Sequence, residues 1–489
     1  MIAGDYMERP RIAKSGKRVT DKVVTSTTGV EYGIGGKLGA GGVAKVFHAL
    51  RLRDGKKCVF KEYVPSPEKR RMHAAIKRNI QTLMGKPLTE DDGITPLRSF
   101  IGPMDKDSLI LLPASGGFGY VMDAVDTKSF LPVPKLRHLT TFPDADILCK
   151  AGVNIARLFR RIHFRGWCYK DINEGNIYVN NKTGDVRIID CDNISVQSTK
   201  TIKGTDGFMA PEVYATSTPD MYTDYFSMAV LFYRLMIGGY PLDGKKTRNY
   251  LLKNNLSVQE AASTIYGSMA LFAFDPKDRS NEIRTLVDPK NPEMYAYQTR
   301  SWDRLPVDIQ EGFVKTFSTG LKNGDRHKRA TDKDWADIFE RLKSRLVRCR
   351  CGRVNFGDDH KKCECIFCNA TLPMLAKIPP TPPPPPPLTT VVFSARRDIE
   401  PTCLKIIAKR KNQLVGRAIY PGLNEGWMRI EYSPKLGKLS GVNLSGDTWI
   451  VSENGVKTNC PPGGRVVFKI GQVITVKRRQ LQLTVKKIK

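Results

Sequence analysis

From Tyr32 to Val125, short runs of alternating apolar and polar residues are broken by glycines, a period-two pattern that predicts β-strands. One stretch departs from it: around Glu68–Met84 the apolar spacing lengthens to that of a helix. From Asp144 to about Leu346 helical spacing prevails, and Ile147, Ala151, Ile155, Leu158 and Ile162 share one face of a helix over Ile147–Phe164. A hairpin interrupts it, with strands Ile177–Val179 and Val186–Ile189 joined by a turn at Asn181–Asp185. A β-rich lobe followed by a helical one is an α+β, two-lobed plan. Beyond Thr390 the alternation returns over Leu404–Ala408, Trp427–Tyr432, Thr448–Val451, Arg465–Ile470, Val473–Val476 and Leu481–Val485, which predicts an all-β domain. Between the two lies Ile378–Leu388, IPPTPPPPPPL, read as an extended spacer of about 3.1 Å per residue. Residues 1–30 read as a flexible lead-in, and no internal repeat is evident.

Composition narrows the class. A chain of 489 residues that is 40% hydrophobic can bury at least one large core, which excludes wholesale disorder. Its 79 Lys and Arg against 49 Asp and Glu, a formal charge of +30, point to an acidic partner or to no more than a basic solvated surface. Met1–Thr20 lacks the apolar stretch of a signal peptide, and the apolar run Phe226–Met236 is broken by Arg234 and too short to span a bilayer. These features predict a soluble, cytoplasmic protein with no membrane partner. Five of the eleven cysteines crowd into Cys349–Cys368 while the rest are scattered, which suits a reducing compartment and a metal better than disulfides.

Several polar groups then fall at spacings suited to phosphate chemistry. Gly39-Ala40-Gly41-Gly42 follows a strand-like run and precedes Val46. Glycines let backbone N–H groups approach phosphates, and Val46 can cover a base, although most such runs are only turns. Lys61 ends the apolar strand Cys58-Val59-Phe60, where it can neutralise phosphates held by that loop. Tyr169-Lys170-Asp171-Ile172-Asn173-Glu174-Gly175-Asn176 sits between a helix and a strand. Asp171 can accept or orient a hydroxyl proton there, and Asn176 can offer an amide oxygen to Mg²⁺. Asp190 ends the apolar strand Ile188-Ile189 and presents a second hard oxygen to the same ion.

Taken in order, Gly39, Gly41 and Val46, then Lys61, Asp171 with Asn176, Asp190, Ala210-Pro211-Glu212, Asp224 and Arg329 resemble the protein kinase superfamily, of bacterial Ser/Thr type, over residues 31–345. The resemblance implies a two-lobed kinase fold that uses ATP and Mg²⁺ on a protein substrate. It implies that Lys61 contacts ATP phosphates, that Asn176 and Asp190 hold Mg²⁺, and that Asp171 is the catalytic carboxylate. The adenine site would comprise Gly39, Ala40, Gly41 and Val46 with a hinge after Met122, where Asp123–Val125 offer backbone groups. Asp224 would fix the catalytic loop through its backbone N–H groups, and Glu212 would pair with Arg329. Thr205, in Gly204–Glu212, would bond Asp171 as in Ser/Thr kinases, and this peptide-docking segment argues against a small-molecule substrate. Ser195, Ser198, Thr199 and Thr201 are the expected self-phosphorylation sites, with Lys170 as receiver of their phosphate.

Departures from the pattern carry their own expectations. Ala44 replaces a glycine, Tyr169 a histidine, Asn173 a lysine, and Cys191-Asp192 a Phe-Gly pair. The helix position expected to supply a glutamate to Lys61 holds Asn79, with Glu90 or Asp91 as substitute carboxylates. That departure sustains an alternative reading, a nucleotide-binding pseudokinase scaffold. Downstream, Cys349-Arg-Cys351 and Cys363-Glu-Cys365-Ile-Phe-Cys368 resemble a zinc ribbon over residues 346–372, as in a group of bacterial kinases. Its expected structural Zn²⁺ ligands are Cys349, Cys351, Cys365 and Cys368, with Cys363 as the substitute. A Pro-rich linker, 373–390, leads to a basic all-β sandwich at 391–489. Gly416-Arg417, Ser452–Asn459 and Phe468–Ile474 there resemble a forkhead-associated domain, but no Ser-x-x-His accompanies them. The expected partner of this domain is a phosphoprotein; the other reading is a basic adaptor that also binds nucleic acid.

Overall fold

A computed structural model describes residues 22–489 except 42, 91–96, 104–105, 139, 197–203, 216–217, 288–292, 359–361, 374–389, 396–401, 406–412, 416–426, 434–437, 454, 470–471, 477–480 and 487–489. The polyproline spacer lies outside the described residues. Six antiparallel strands form the first sheet: β1 (Lys22–Thr25), β2 (Glu31–Ala40), β3 (Lys45–Arg51), β4 (Lys57–Tyr63), β5 (Leu109–Leu112) and β6 (Gly117–Asp123). Their order is β1-β2-β3-β4-β6-β5. Strand β1 falls inside the segment read as a flexible lead-in, yet pairs Lys22 with Ile34 and Thr25 with Glu31. Its sequence KVVT is too short to display a period, so its partner rather than its pattern defines it. A bridge between Ser26 and Ile110 links the two edges of the sheet.

Alternation along β4 sorts this lobe into two cores. Cys58 and Phe60 pack outward with Tyr32, Ile34, Ile110 and Val121. Val59 and Tyr63 point the other way with Tyr120 and Met122, against Ile76 and Ile80 of helix α1 (Arg70–Gly85). Ile76, Ile80 and Leu83 are buried at helical spacing, whereas Arg70, Arg71 and Arg78 are exposed.

Helices dominate the second lobe: α2 (Val133–Leu136), α3 (Ala145–His163), α4 (Pro211–Ala215), α5 (Met221–Met236), α6 (Lys245–Lys253), α7 (Val258–Ser263), α8 (Glu293–Arg304), α9 (Val307–Val314) and α10 (Asp332–Leu342). Short strands β7 (Leu131–Pro132), β8 (Trp167–Cys168), β9 (Ile177–Val179), β10 (Val186–Ile188) and β11 (Ser195–Val196) punctuate them. The β9–β10 hairpin pairs Ile177 with Ile188. Helix α5 is apolar nearly all round and sits in the core, its start capped by Asp220, which accepts from the Tyr222 and Thr223 amides. Helices α3 and α10 approach so closely that a Cβ on Gly152 would lie 2.4 Å from the Phe339 ring.

The cysteine-rich segment packs on this lobe through β12 (Leu346–Arg348) and β13 (Val354–Phe356). Arg353 donates to the Asp144 carboxylate and the Phe142 carbonyl and lies 3.6 Å over the Phe367 ring. Asp358 accepts the Val307 amide at 2.9 Å, and Arg304 reaches Glu364 and Asn369. Residues 1–376 thus make one unit, and residues 377–489 a second.

The second unit holds two antiparallel sheets. Its strands are β14 (Thr390–Ala395), β15 (Thr402–Lys405), β16 (Gln413–Val415), β17 (Met428–Ser433), β18 (Lys438–Asn443), β19 (Trp449–Glu453), β20 (Val456–Cys460), β21 (Arg465–Val467), β22 (Val473–Val476) and β23 (Leu481–Lys486). They run β15-β14-β23-β22-β19-β20 and β16-β17-β18-β21. Trp427 and Trp449 stack in its core with centroids 4.7 Å apart. Strand β20, VKTNC, escapes a reading by alternation because four of its five residues are exposed at the sheet edge.

Candidate active site

The loop after β8 is held from below. Asp224, in the first turn of α5, is 1% exposed and accepts from the Tyr169 amide at 2.6 Å and the Lys170 amide at 2.9 Å. Lys170 is buried and adopts a left-handed φ of 70°, which turns the chain so that Asp171 faces the cleft. Thr205 Oγ1 donates to Asp171 Oδ1 at 2.7 Å, and Asn173 Nδ2 donates to Thr205 Oγ1 at 3.1 Å. Asn176 Nδ2 donates to the Asp171 carbonyl at 3.1 Å, which leaves its amide oxygen as the remaining acceptor. The Ile189 amide donates to the Asn176 carbonyl at 3.0 Å, so Asp190 emerges beside Asn176. Asp190 itself has φ 57°. Burial raises the Asp171 carboxyl above its ordinary value, against the opposing bonds from Thr205 and Asn173. Burial also raises Asp190, which Lys61 opposes and Asp192 reinforces.

Lys61 enters from the sheet. It lies opposite both Val46 and Tyr120, so all three share the cleft face with Val59 and Met122. Gly39 and Ala40 pair with Val46 and Lys45, the Gly41 amide closes on the Ala44 carbonyl, and a register shift marks the loop's approach. Strand β6 ends at exposed Asp123, bound to Lys56, and Val125 packs half-buried against the cleft core. Lys61 Nζ lies 2.8 Å from Asp190 Oδ1 and 3.2 and 3.3 Å from the two oxygens of Asp192. Of the expected substitutes, Glu90 pairs with Arg161, and Asp91 lies outside the described residues. Asn79 donates to the Asp192 carbonyl at 3.4 Å rather than to Lys61.

Comparison with known proteins agrees with this geometry. A family model described as protein kinase domain matches residues 32–334, well over half of the chain. The chain belongs to the protein kinase family. Among curated relatives it is 21% identical over 295 residues to the serine/threonine-protein kinase PLK1 of Xenopus laevis, covering 58% of this chain and 46% of that one. It is 24% identical over 307 residues to the serine/threonine-protein kinase pim-2 of Danio rerio, covering 57% and 87%. The chain spans less than half the length of the first curated relatives it matches. Among solved structures it is similar to the autoinhibited serine kinase domain of the giant muscle protein titin, at TM-score 0.42 and 13% identity over 64% of this chain and 81% of that one.

In this kinase Arg329 and Glu212 form a buried two-bond pair, both at 2.8 Å, and Arg329 also donates to the Gly320 and Tyr222 carbonyls. Ser195 is buried in β11 opposite Cys168, which removes it from the set of accessible hydroxyls; Ser198, Thr199 and Thr201 lie outside the described residues. Asp190 and Asn176 offer the hard oxygens that Mg²⁺ takes, side by side at one end of the cleft. The sulfurs of Cys349, Cys351, Cys365 and Cys368 all lie within 4.8 Å of one another, with pairs at 3.5 and 3.7 Å. A tetrahedral Zn²⁺ with bonds of about 2.3 Å puts its sulfurs roughly 3.8 Å apart, so the set fits that ion and is too wide for disulfides. Cys363 is buried outside the set, where its carbonyl accepts the Leu372 amide.

Three features of the site escape a reading of motifs. Asp192 is a counter-ion of Lys61, although it stands where a glycine was expected. His163 bridges Asp224 at 3.0 Å and Asp332 at 2.8 Å beneath the Tyr169–Asn176 loop. Tyr169 donates its hydroxyl to the Ile189 carbonyl and so ties the loop to the strand that carries Asp190. A lysine that lacks its helix glutamate beside an acidic residue in the glycine position was the available signal for the first. Nothing local marks His163, whose partners are 61 and 169 residues away.

Proposed function

We propose that this kinase transfers the γ-phosphoryl group of ATP to serine and threonine hydroxyls of protein substrates. The observation that carries the reading is the chain Asn173 to Thr205 to Asp171, which fixes a raised-pKa carboxylate at the mouth of the cleft. Bound Mg²⁺ and ATP would supply the transferable group and the charge that stabilises its oxygens. Asp171 orients the incoming hydroxyl and takes its proton as the new oxygen–phosphorus bond forms and the β–γ bridge bond breaks, with ADP as leaving group. Lys61 would neutralise phosphate oxygens, and Asp190 and Asn176 would hold the metal. Val46 and Val59 from the sheet and Met122 before the hinge offer an apolar seat for the base. Gly39, Ala40, Gly41, Asp123 and Val125 line the same entrance.

The domain reading is a catalytic domain over 31–345, a ribbon over 346–372 closed by Zn²⁺ on Cys349, Cys351, Cys365 and Cys368, a linker over 373–390, and a basic sandwich over 391–489 that recruits an acidic or phosphorylated partner. The activation-segment hydroxyls Ser198, Thr199 and Thr201 are the proposed autophosphorylation sites. Among the described residues no helix is long and apolar enough to cross a membrane.

The test is incubation of full-length protein with labelled ATP and Mg²⁺, with phosphosites mapped by mass spectrometry, beside Asp171→Ala and Asp190→Asn. Label on serine or threonine in the wild type and none in either variant is the expected result. Nucleotide binding without label, with a generic basic acceptor present, replaces catalysis with the scaffold reading.

A further inference from the structure

We infer that Asp192 is the positioning residue that holds Lys61 toward the nucleotide phosphates, in place of a carboxylate on helix α1. The inference rests on the kinase reading above and adds the device that orients its phosphate-binding lysine. Helix α1 contains no acidic residue. Among the described residues, the carboxylates bonded to Lys61 are those of Asp190 and Asp192.

The two have different surroundings and so different uses. The Asp190 side chain is 31% exposed and faces the cleft, where it is free to take a divalent cation. The Asp192 side chain is 3% exposed and faces inward. A buried carboxylate costs several kcal/mol unless its lone pairs are satisfied. Asp192 meets that condition on the sheet: it accepts from Lys61 Nζ, from Tyr120 Oη at 2.9 Å and from Tyr63 Oη. Lys61 and Tyr63 are two apart on β4, and Tyr120 lies directly opposite Lys61 on β6, so the three donors project from one face. Burial raises both tyrosine hydroxyls, which keeps them protonated as donors.

Both carboxylates ride on one short turn, Cys191–Asn193 preceded by Asp190. Cys191 is wholly buried, and a Cβ on Gly102 would meet its Cβ at 2.7 Å, so the turn is wedged in place. When a helix supplies the partner of the lysine, a swing of that helix disarms the site. Here the lysine and Asp190 are coupled through the same three residues, and α1 meets that turn through Asn79, which donates to the Asp192 carbonyl rather than to Lys61. Displacement of the 190–192 turn is what disarms this kinase.

The experiment measures Mg·ATP affinity by nucleotide-analogue fluorescence, and kcat and KM for ATP, on full-length protein carrying Asp192→Asn, Tyr120→Phe or Asn79→Ala. Asp192→Asn keeps the shape of the side chain and removes the charge; its Kd and KM for Mg·ATP rise by about tenfold or more and kcat falls by a similar factor. Tyr120→Phe raises KM by about fivefold, and Asn79→Ala changes either constant by less than about threefold. Constants for folded Asp192→Asn within twofold of wild type overturn the inference, as does damage from Asn79→Ala equal to that from Asp192→Asn. If Asp192→Asn does not fold, Tyr120→Phe decides, and an unchanged KM overturns the inference. A wild type that transfers no phosphate sinks the catalytic reading alone, because the Kd contrast still decides what holds Lys61.

Discussion

Replacing His163 by glutamine tests the floor of the active site. The imidazole lies between Asp224 and Asp332, both almost wholly buried, with one ring nitrogen on each. Burial opposes the imidazolium, but the two carboxylates outweigh it and raise its pKa from 6.5 to about 9. A folded-state pKa above the unfolded value stabilises the fold fully below about pH 6.5, and the contribution is lost as pH rises through about 9. The difference of about 2.5 units, at 1.36 kcal/mol each, is about 3 kcal/mol. His163→Gln cannot carry the charge, so the stability gap between wild type and variant is largest near pH 6 and shrinks by about 3 kcal/mol by pH 9.5. Urea unfolding of both proteins at pH 6, 7.5 and 9.5 measures that gap. Comparing the pair at each pH cancels titrations elsewhere in the chain. A gap that does not change with pH refutes the reasoning, since it means that His163 is neutral in the folded protein. Because Asp224 also holds the Tyr169 and Lys170 amides, the variant loosens Asp171 and lowers kcat as well.

Breaking the buried Arg329–Glu212 pair from one side, as in Glu212→Gln, strands a guanidinium that is 0% exposed and costs about 3–5 kcal/mol by denaturant unfolding. Thr205→Val removes the hydroxyl between Asn173 and Asp171 and lowers kcat about tenfold or more, with KM for ATP little changed in steady-state assays. A strong chelator, or Cys351→Ser, removes one equivalent of zinc by metal analysis and lowers the melting temperature of the 1–376 unit, because Arg353, Asp358 and Glu364 join the ribbon to the helical lobe. In the second unit, Asn443→Ala removes the buried amide that donates to the Asp447 and Cys460 carbonyls, and costs about 2 kcal/mol on thermal or urea unfolding.

Much of this protein is local and was legible in order. Periods of two and 3.6 separate the two lobes, since each reports which side of a strand or helix must leave water. The spacing Asp171 to Asn176 and the ends of apolar strands at Lys61 and Asp190 locate the cleft, because a short loop or strand carries its own geometry. The pairing of Asp224 with the loop amides is what the kinase resemblance implies, and both bonds are present. The zinc-type cysteines group by proximity in sequence. Tertiary structure alone decided the rest. Strand β1 and edge strand β20 have no pattern of their own and exist through their neighbours. Ser195 looks like an accessible hydroxyl until β8 covers it. Sequence spacing pointed to helix α1 for the partner of Lys61, and read Asp192 as a lost glycine. Which carboxylate meets a lysine depends on which buried donors can satisfy it, and those donors, Tyr63 and Tyr120, come together with residue 192 only when the sheet has closed over the turn.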